Sequence, residues 1–407
     1  MIVEPKIRNN ICLTAHPTGC ARQVEDQVEF VRARRAAAPG GVQGGRAGGG
    51  GRHPTRALIV GSSNGYGLAA RIVTGWGYDA ATLGVAFERP GSSDQGREKL
   101  GTAGWYNDQA LLRFAQRDGL AAWSINGDAF SPEVKDQAIG LIRDRMGPID
   151  LLVYSIASPR RMDPATGTLH SSVIKPIGSP YVSRSLDFLT GEVSEYRAEP
   201  TVSPQEIDDT VKVMGGEDWK LWVDLLSRQG LLADGATTVA FSYIGPSFTA
   251  PIYRDGTIGR AKEHLEATAR ELDRALASRG GRAFVSVNKA LVTRASAVIP
   301  AVPLYIAILY RVMKEMGLHE VCIHQMHRLF RDWLYAEKPL PADAEGRIRL
   351  DDWEMRAEVQ AEVARRWERA STENIQEIAD VEGFRAEYLN YHGFGVAGID
   401  YAAEVNP

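Results

Sequence analysis

The chain has 407 residues, of which 44% are hydrophobic and 24% charged, with a formal net charge of -4. This is the composition of a globular protein with a large core, as one big domain or two ordinary ones, and it gives no electrostatic case for nucleic acid or an anionic membrane as partner. Three cysteines at unrelated spacings, Cys12, Cys20 and Cys322, argue against a disulfide scaffold and fit a reducing cytoplasm.

Met1 to Cys20 carries charges and two prolines, Pro5 and Pro17, but no apolar stretch of the signal-peptide kind. A helix is predicted from about Val24 to Arg35. Between Pro39 and Gly51 lie eight glycines, with Arg46 as the only charge. Such a segment buries too little apolar surface to offset its ordering entropy, so it reads as a surface loop closing an amino-terminal extension, residues 1–54.

From Thr55 onwards short apolar runs alternate with amphipathic stretches. Ala57–Val60, Thr82–Phe87, Ala121–Ile125, Ile149–Ser155, Thr238–Tyr243 and Ala283–Val287 are each short and bounded by turn residues, as buried strands are. Glu133–Met146 and Ile258–Ala277 read as helices; in the second, Ala261, Leu265, Leu272 and Leu276 recur at helical spacing. The alternation predicts an α/β fold, a doubly wound, Rossmann-like parallel sheet with helices on both faces, over residues 55–338. Val298–Tyr310 is apolar but too short to span a bilayer and is broken by Pro300 and Pro303, so it reads as a buried helix or pocket wall. Residues 339–407 read as a charged, helical extension anchored on the core by Trp353 and Trp367.

A glycine turn follows the first strand: Gly61-Ser62-Ser63-Asn64-Gly65-Tyr66-Gly67. Glycines between a strand and a helix let the backbone approach a pyrophosphate, which then lies on the helix amino terminus. Alone the motif is weak. Its strand-turn-helix setting strengthens it, as does Glu88, 21 residues beyond Gly67, where an acid can accept hydrogen bonds from the adenosine ribose and repel a 2′-phosphate. Arg89 beside it could instead pair with that phosphate. Asp128 after the third strand is placed to bond the adenine, and Ser155-Ile156-Ala157 after the fourth to pass the nicotinamide ribose; an Asx turn and a packing contact are the plainer readings.

Tyr253 and Lys262 flank the start of the long helix. Hydride reduction of a polarised double bond needs a proton donor at the developing oxyanion, which a tyrosine supplies; a neighbouring ammonium favours phenolate character and can hold a ribose. Nine residues apart, the two would be half a turn out of phase on one continuous helix. The chemistry therefore requires Tyr253 to lie outside the helix, with Asp255-Gly256 as the turn and Thr257 as a candidate cap. By type alone they are equally a surface tyrosine and a solvated lysine.

The segments GSSNGYGLAAR, FERPG, GTAGWYN, INGDAF, KPIG, GGEDW, YRDGTIGRAK, the opening MIVEPKIRNNICLTAHPTGC and the closing GFGVAGIDYAAEVNP resemble the trans-2-enoyl-CoA reductase and FabV-type enoyl-acyl-carrier-protein reductase family, almost from end to end. The resemblance implies NADH-dependent reduction of trans-2-enoyl thioesters, carried by acyl carrier protein or coenzyme A, in fatty acid synthesis. It implies Tyr253 as proton donor, Lys262 as catalytic cofactor anchor and Tyr243 as the contact to the substrate carbonyl. It also implies an NAD site lined by Gly61, Ser62, Ser63, Asn64, Gly65, Tyr66, Phe87, Glu88, Asp128, Ala129, Ile156, Ala157, Leu291, Val292 and Thr293. The glycine-rich stretch and the loop Gly91–Leu100 are longer than the family leads one to expect.

Two rival readings are a short-chain-dehydrogenase ketoreductase using Ser242, Tyr253 and Lys262, and a non-catalytic NAD sensor. A metal site is not expected. His319 and His324 are five apart, out of phase on a helix, and His324 and His327 lack a third ligand. Trp219 and Trp222 read as core. The carrier and the oligomeric state stay open, with a monomer as the working expectation.

Overall fold

The computed structural model describes residues 1–8, 10–36, 53–94, 97–293, 296–299 and 301–407. The glycine-rich stretch from 39 to 51 lies outside them.

Seven strands form one parallel sheet: β1 (Arg56–Val60), β2 (Ala81–Ala86), β3 (Ala122–Asn126), β4 (Ile149–Tyr154), β5 (Leu232–Ser242), β6 (Arg282–Val287) and β7 (Ile348–Arg349). Their order is β7-β6-β5-β4-β1-β2-β3, so the winding reverses between β1 and β4. Such a reversal opens a crevice at the carboxyl ends of the two strands. The strands alternate their side chains between two cores, as a period of two requires. Leu58 and Val60 of β1 enter one core, while Ala57 and Ile59 enter the other.

One face is covered by α4 (Pro132–Leu141), α6 (Glu217–Arg228) and α7 (Thr257–Ala277). The other carries α1 (Pro17–Ala36), α2 (Gly65–Ile72), α3 (Ala103–Arg117) and α9 (Cys322–Leu329). Pro17 opens α1, where a missing N–H costs nothing, and His16 Nδ1 accepts the Gly19 amide at 3.2 Å. That helix therefore starts seven residues before the predicted Val24.

A third core sits beyond the carboxyl ends of β5 and β6, around α8 (Val302–Glu315), which is buried from Val302 to Tyr310. The antiparallel hairpin Tyr181–Asp187 with Glu192–Ala198 packs on it. So do α10 (Ala357–Arg369), α11 (Ile375–Ile378) and α12 (Val381–Tyr391) of the carboxyl-terminal segment. α5 (Pro204–Met214) lies along α7. The apolar run at the start of α8 is thus a buried helix, as its composition predicts. The tail is more than helical, because β7 pairs with β6 at Ser286 and Val287. Among the described residues no helix is long and apolar enough to cross a membrane.

Candidate active site

The glycine turn leaves β1 in the crevice. Gly61 adopts φ +89°, and a Cβ there would run into the carbonyl of Ser155 at the end of β4. A Cβ on Gly67 would strike the Gly61 carbonyl, so close approach demands both glycines, and conformation demands Gly61 as well. α2 begins without a side-chain cap, leaving its first amides to an anion. Thr293 is brought beside the turn, 3.8 Å from where a Gly65 Cβ would stand. Tyr66 spends its hydroxyl on the Lys289 carbonyl at 2.7 Å and packs its ring on Phe241, so its side chain ties the turn to the 289–293 segment.

Glu88 follows β2 and is buried. Its Oε1 accepts from Ser63 Oγ at 2.7 Å and Asn64 Nδ2 at 3.3 Å. Asn126 at the end of β3 exchanges two 2.8 Å bonds with the Glu88 backbone. Asn107 of α3 holds the Ser63 carbonyl at 3.1 Å and Asn64 Oδ1 at 2.8 Å. A Cβ on Gly104 would overlap Glu88 Oε1, so α3 offers a glycine where the acid needs room. Gly104 and Asn107 lie in GTAGWYN, whose residue types carry no such role on their own. Arg89 turns away, donating to the Leu100 carbonyl at 3.4 Å. Phe87 stands 76% exposed beside the turn. Asp128 Oδ1 accepts the Phe130 amide at 2.9 Å, the Asx turn anticipated as the plainer reading, and Lys135 Nζ secures the Ala129 and Phe130 carbonyls at 2.7 and 3.0 Å. Ile156 is half-buried and Ala157 exposed at the end of β4. Leu291 and Val292 are buried, and the Tyr310 hydroxyl accepts the Val292 amide at 3.0 Å.

Beyond β5, Tyr243, Tyr253 and Lys262 line one cavity of about 630 Å³. Tyr253 lies in the turn before α7, outside the helix, as its spacing from Lys262 demands. A Cβ on Gly259 would overlap the Arg254 carbonyl and come within 2.7 Å of the Tyr253 carbonyl, so the first turn of α7 seats directly on the tyrosine segment. Thr257 is not the cap; Gly256 holds that place. Thr257 Oγ1 instead donates to the Val173 carbonyl at 2.6 Å and accepts the Lys175 amide at 3.2 Å, pinning α7 to the KPIG segment.

Burial pushes the Tyr253 and Tyr243 phenols up, so both keep their protons at neutral pH. The expected phenolate character of Tyr253 is not found: desolvation outweighs any pull from Lys262. The Lys262 ammonium is itself pushed down to about 8 by burial, against the opposing pull of Glu266 one turn on. Ser242 is buried but does not line this cavity, so a Ser-Tyr-Lys set is not assembled. Two residues unmarked in the sequence lie behind Tyr243 without lining the cavity themselves, Glu354 and Tyr305, whose side chains bond each other at 2.6 Å.

Trp219 and Trp222 are fully buried in the core. His324 and His327 pack on Phe30, and His319 on Tyr310 and Glu387. No group of three metal-binding side chains occurs among the described residues.

Three family models match consecutive stretches of the chain: the NAD(P)H binding domain of trans-2-enoyl-CoA reductase over residues 2–93, the trans-2-enoyl-CoA reductase catalytic region over 99–335, and an enoyl reductase FAD binding domain over 342–405. The glycine cradle and Glu88 fit a nicotinamide dinucleotide. Residues 342–405 offer no strand-glycine turn-helix cradle and spend their helices on α8, so they do not fit a flavin in that manner. The chain is 50% identical to the enoyl-(acyl-carrier-protein) reductase (NADH) of Flavobacterium psychrophilum over 406 residues, 100% of this chain and 98% of that protein. Its identity to the enzyme of the same name from Coxiella burnetii is 51%, covering 98% and 95%. The crystal structure of Treponema denticola trans-2-enoyl-CoA reductase in complex with NAD superposes with a TM-score of 0.93 at 50% identity, covering 100% and 98%. That of the Clostridium acetobutulicum enzyme in complex with NADH gives 0.92 at 43%, with the same coverage. With its fold, its glycine turn and its whole length in agreement, the chain belongs to the trans-2-enoyl-CoA reductase family.

Proposed function

We propose that this protein reduces the C2=C3 double bond of trans-2-enoyl thioesters to saturated acyl thioesters in fatty acid synthesis, with NADH as reductant. The observation that carries the reading is the convergence of Tyr243, Tyr253 and Lys262 on one cavity. NADH, when bound, supplies the hydride that adds to C3. The backbone from Gly61 to Tyr66 and the uncapped start of α2 receive the pyrophosphate, and Glu88 accepts from the ribose hydroxyls. Phe87, Asp128 and Ala129 border the adenine end; Ile156, Ala157 and Leu291 to Thr293 border the nicotinamide end.

At the reacting centre Tyr243 donates a hydrogen bond to the thioester carbonyl, which stabilises the enolate as charge builds on oxygen. Tyr253, held protonated by burial, delivers the proton, directly or through a water. Lys262 anchors the nicotinamide ribose and phosphates. Acyl carrier protein or coenzyme A serves as carrier, and the chain works in the cytoplasm as a monomer.

The test is NADH oxidation with crotonyl-CoA, acetoacetyl-CoA and matched acyl-carrier-protein substrates. Turnover of the enoyl but not the ketoacyl thioesters supports the reading. Tight NADH binding with no turnover on any of them would favour a sensor.

A further inference from the structure

Behind Tyr243 and Gln360, which line the cavity, lies a buried polar cluster whose centre comes from the carboxyl-terminal segment. Glu354 is completely buried. Its Oε2 accepts the Ala290 amide at 2.7 Å, while its Oε1 accepts from the Tyr305 hydroxyl at 2.6 Å and the Tyr243 hydroxyl at 3.4 Å. Gln360 Nε2 donates to Tyr305 Oη at 3.2 Å and to the Glu354 carbonyl at 2.7 Å. The charged groups nearest the carboxyl are Lys289, whose Nζ donates to the Ala290 carbonyl at 3.1 Å, and Asp351, paired with Arg349 at 2.7 Å.

We propose that Glu354 is a positioning residue that sets the direction of the Tyr243 O–H, an inference resting on the enoyl-reductase reading above. As a carboxylate Glu354 can only accept, so both phenols must turn their protons onto Oε1. Tyr243 then presents bare lone pairs to the cavity, which repel a thioester carbonyl. As a neutral acid Glu354 donates into the pair of phenols. The Tyr243 oxygen can then accept, and its own O–H is free to point at the substrate. Between the two states Glu354 exchanges one proton with solvent, while both phenols keep theirs and change only the direction of their hydrogen bonds. The unequal distances assign the moving member: Tyr305 occupies Oε1 at short range, so Tyr243 is the phenol more easily turned.

The environment places this exchange in a useful range. Burial raises the Glu354 carboxyl to about 7 against the opposing pull of Lys289 and Tyr305. Tyr243 and Tyr305 themselves stay protonated, both pushed upward by burial. Burial lowers the Lys289 and Lys262 ammoniums toward the same range, so loss of the step in Glu354→Gln is what assigns it to the carboxyl.

The experiment is the pH dependence of KM for an enoyl thioester in wild type and Glu354→Gln. Wild-type KM should rise roughly three- to tenfold as pH passes through neutrality, the worth of one hydrogen bond, with NADH affinity showing no step there. In Glu354→Gln the amide oxygen accepts from Ala290, and the two N–H groups face the phenol oxygens at every pH. The step should vanish, and the thioester KM at alkaline pH should fall below that of wild type. A Gln variant that keeps the step, or whose alkaline KM exceeds that of wild type, overturns the proposal.

A second measurement needs no turnover. An infrared carboxylic-acid band should titrate near neutral pH, disappear in Glu354→Gln and shift in Tyr243→Phe. Absence of a Tyr243-sensitive acid band also overturns the proposal. If no enoyl thioester is turned over, the functional reading fails, and the infrared band still decides the role of Glu354.

Discussion

The rings of Tyr243 and Tyr253 meet edge to face, 5.2 Å between centroids and 86° between planes, at the wall of one cavity. The contact keeps two phenols side by side with different hydroxyl environments. Tyr243 is bonded to Glu354, while the Tyr253 hydroxyl makes no hydrogen bond among the described residues. The Tyr253 proton is therefore uncommitted, which suits the donor role proposed for it. Tyr253→Phe should lower kcat by about 10²–10⁴-fold with little change in NADH affinity, the usual effect of losing a positioned donor. Tyr243→Phe should act chiefly on the thioester KM. Stopped-flow turnover with parallel NADH titrations checks both, and near-normal kcat in Tyr253→Phe would reassign the proton donor.

Lys262, as the proposed cofactor anchor, should make NADH binding dependent on pH. Its ammonium, lowered to about 8 by burial, is charged below that value and neutral above it. The dinucleotide is an anion, so its dissociation constant should rise as pH climbs through about 8. Lys262→Arg, charged throughout, should flatten that dependence, and Lys262→Ala should weaken NADH binding at every pH. Calorimetric titrations across the range provide the check; a pH-independent wild-type affinity would place Lys262 elsewhere.

Gly104 is a steric test of the acid beside the glycine turn. In Gly104→Ala the new Cβ overlaps Glu88 Oε1 and comes within 2.5 Å of Asn64 Nδ2. Overpacking of this kind costs about 1–3 kcal/mol, and here it displaces the carboxylate proposed to read the ribose. NADH should bind more weakly, and its preference over NADPH should narrow, as it should in Glu88→Ala. Equal wild-type affinities for the two cofactors would remove Glu88 as discriminator.

Trp219 tests the core beneath the site. Its ring is fully buried, and its Nε1 donates to Thr238 Oγ1 at 2.8 Å on β5. Trp219→Ala should cost about 3–5 kcal/mol by cavity formation, while Thr238 keeps its bond to the Leu152 carbonyl at 3.1 Å. Thermal unfolding reads this directly; a loss below about 1 kcal/mol would mean that the site collapses around the gap.

Strands and helices with one dominant period were legible in the sequence. β1, β4 and α7 end within a residue or two of their predicted bounds, because continuous apolar runs and a helical stripe leave few alternatives. β5 starts at Leu232, six residues before the predicted Thr238, across a register shift between Leu232 and Thr237. A run that includes Asp234 and Gly235 carries no strand signal of its own. β7 is two residues long and exists only because β6 offers it an edge. At the site, the turn residues Asp255-Gly256 and the spacing put Tyr253 outside the helix, while the roles of Tyr253 and Lys262 came from the motif resemblance. Glu354, Tyr305 and Lys289 were not, since a buried charge network is assembled by tertiary contacts and leaves no local pattern. Thr257 was misjudged for a related reason: its type suits a cap, but its hydroxyl is claimed by Val173, 84 positions away.

The placement of Glu354 also bears on when the enzyme becomes competent during its synthesis. The glycine turn, the Tyr253 segment and α7 all emerge from the ribosome well before the edge strand β7 and the carboxylate that follows it. Domains fold as they emerge, at about 5–20 residues per second. A nascent chain can therefore hold a nearly complete sheet while the back wall of its reaction cavity is still untranslated. Capacity to bind the dinucleotide should precede capacity to orient the substrate carbonyl, so an incomplete chain would capture reductant without spending it.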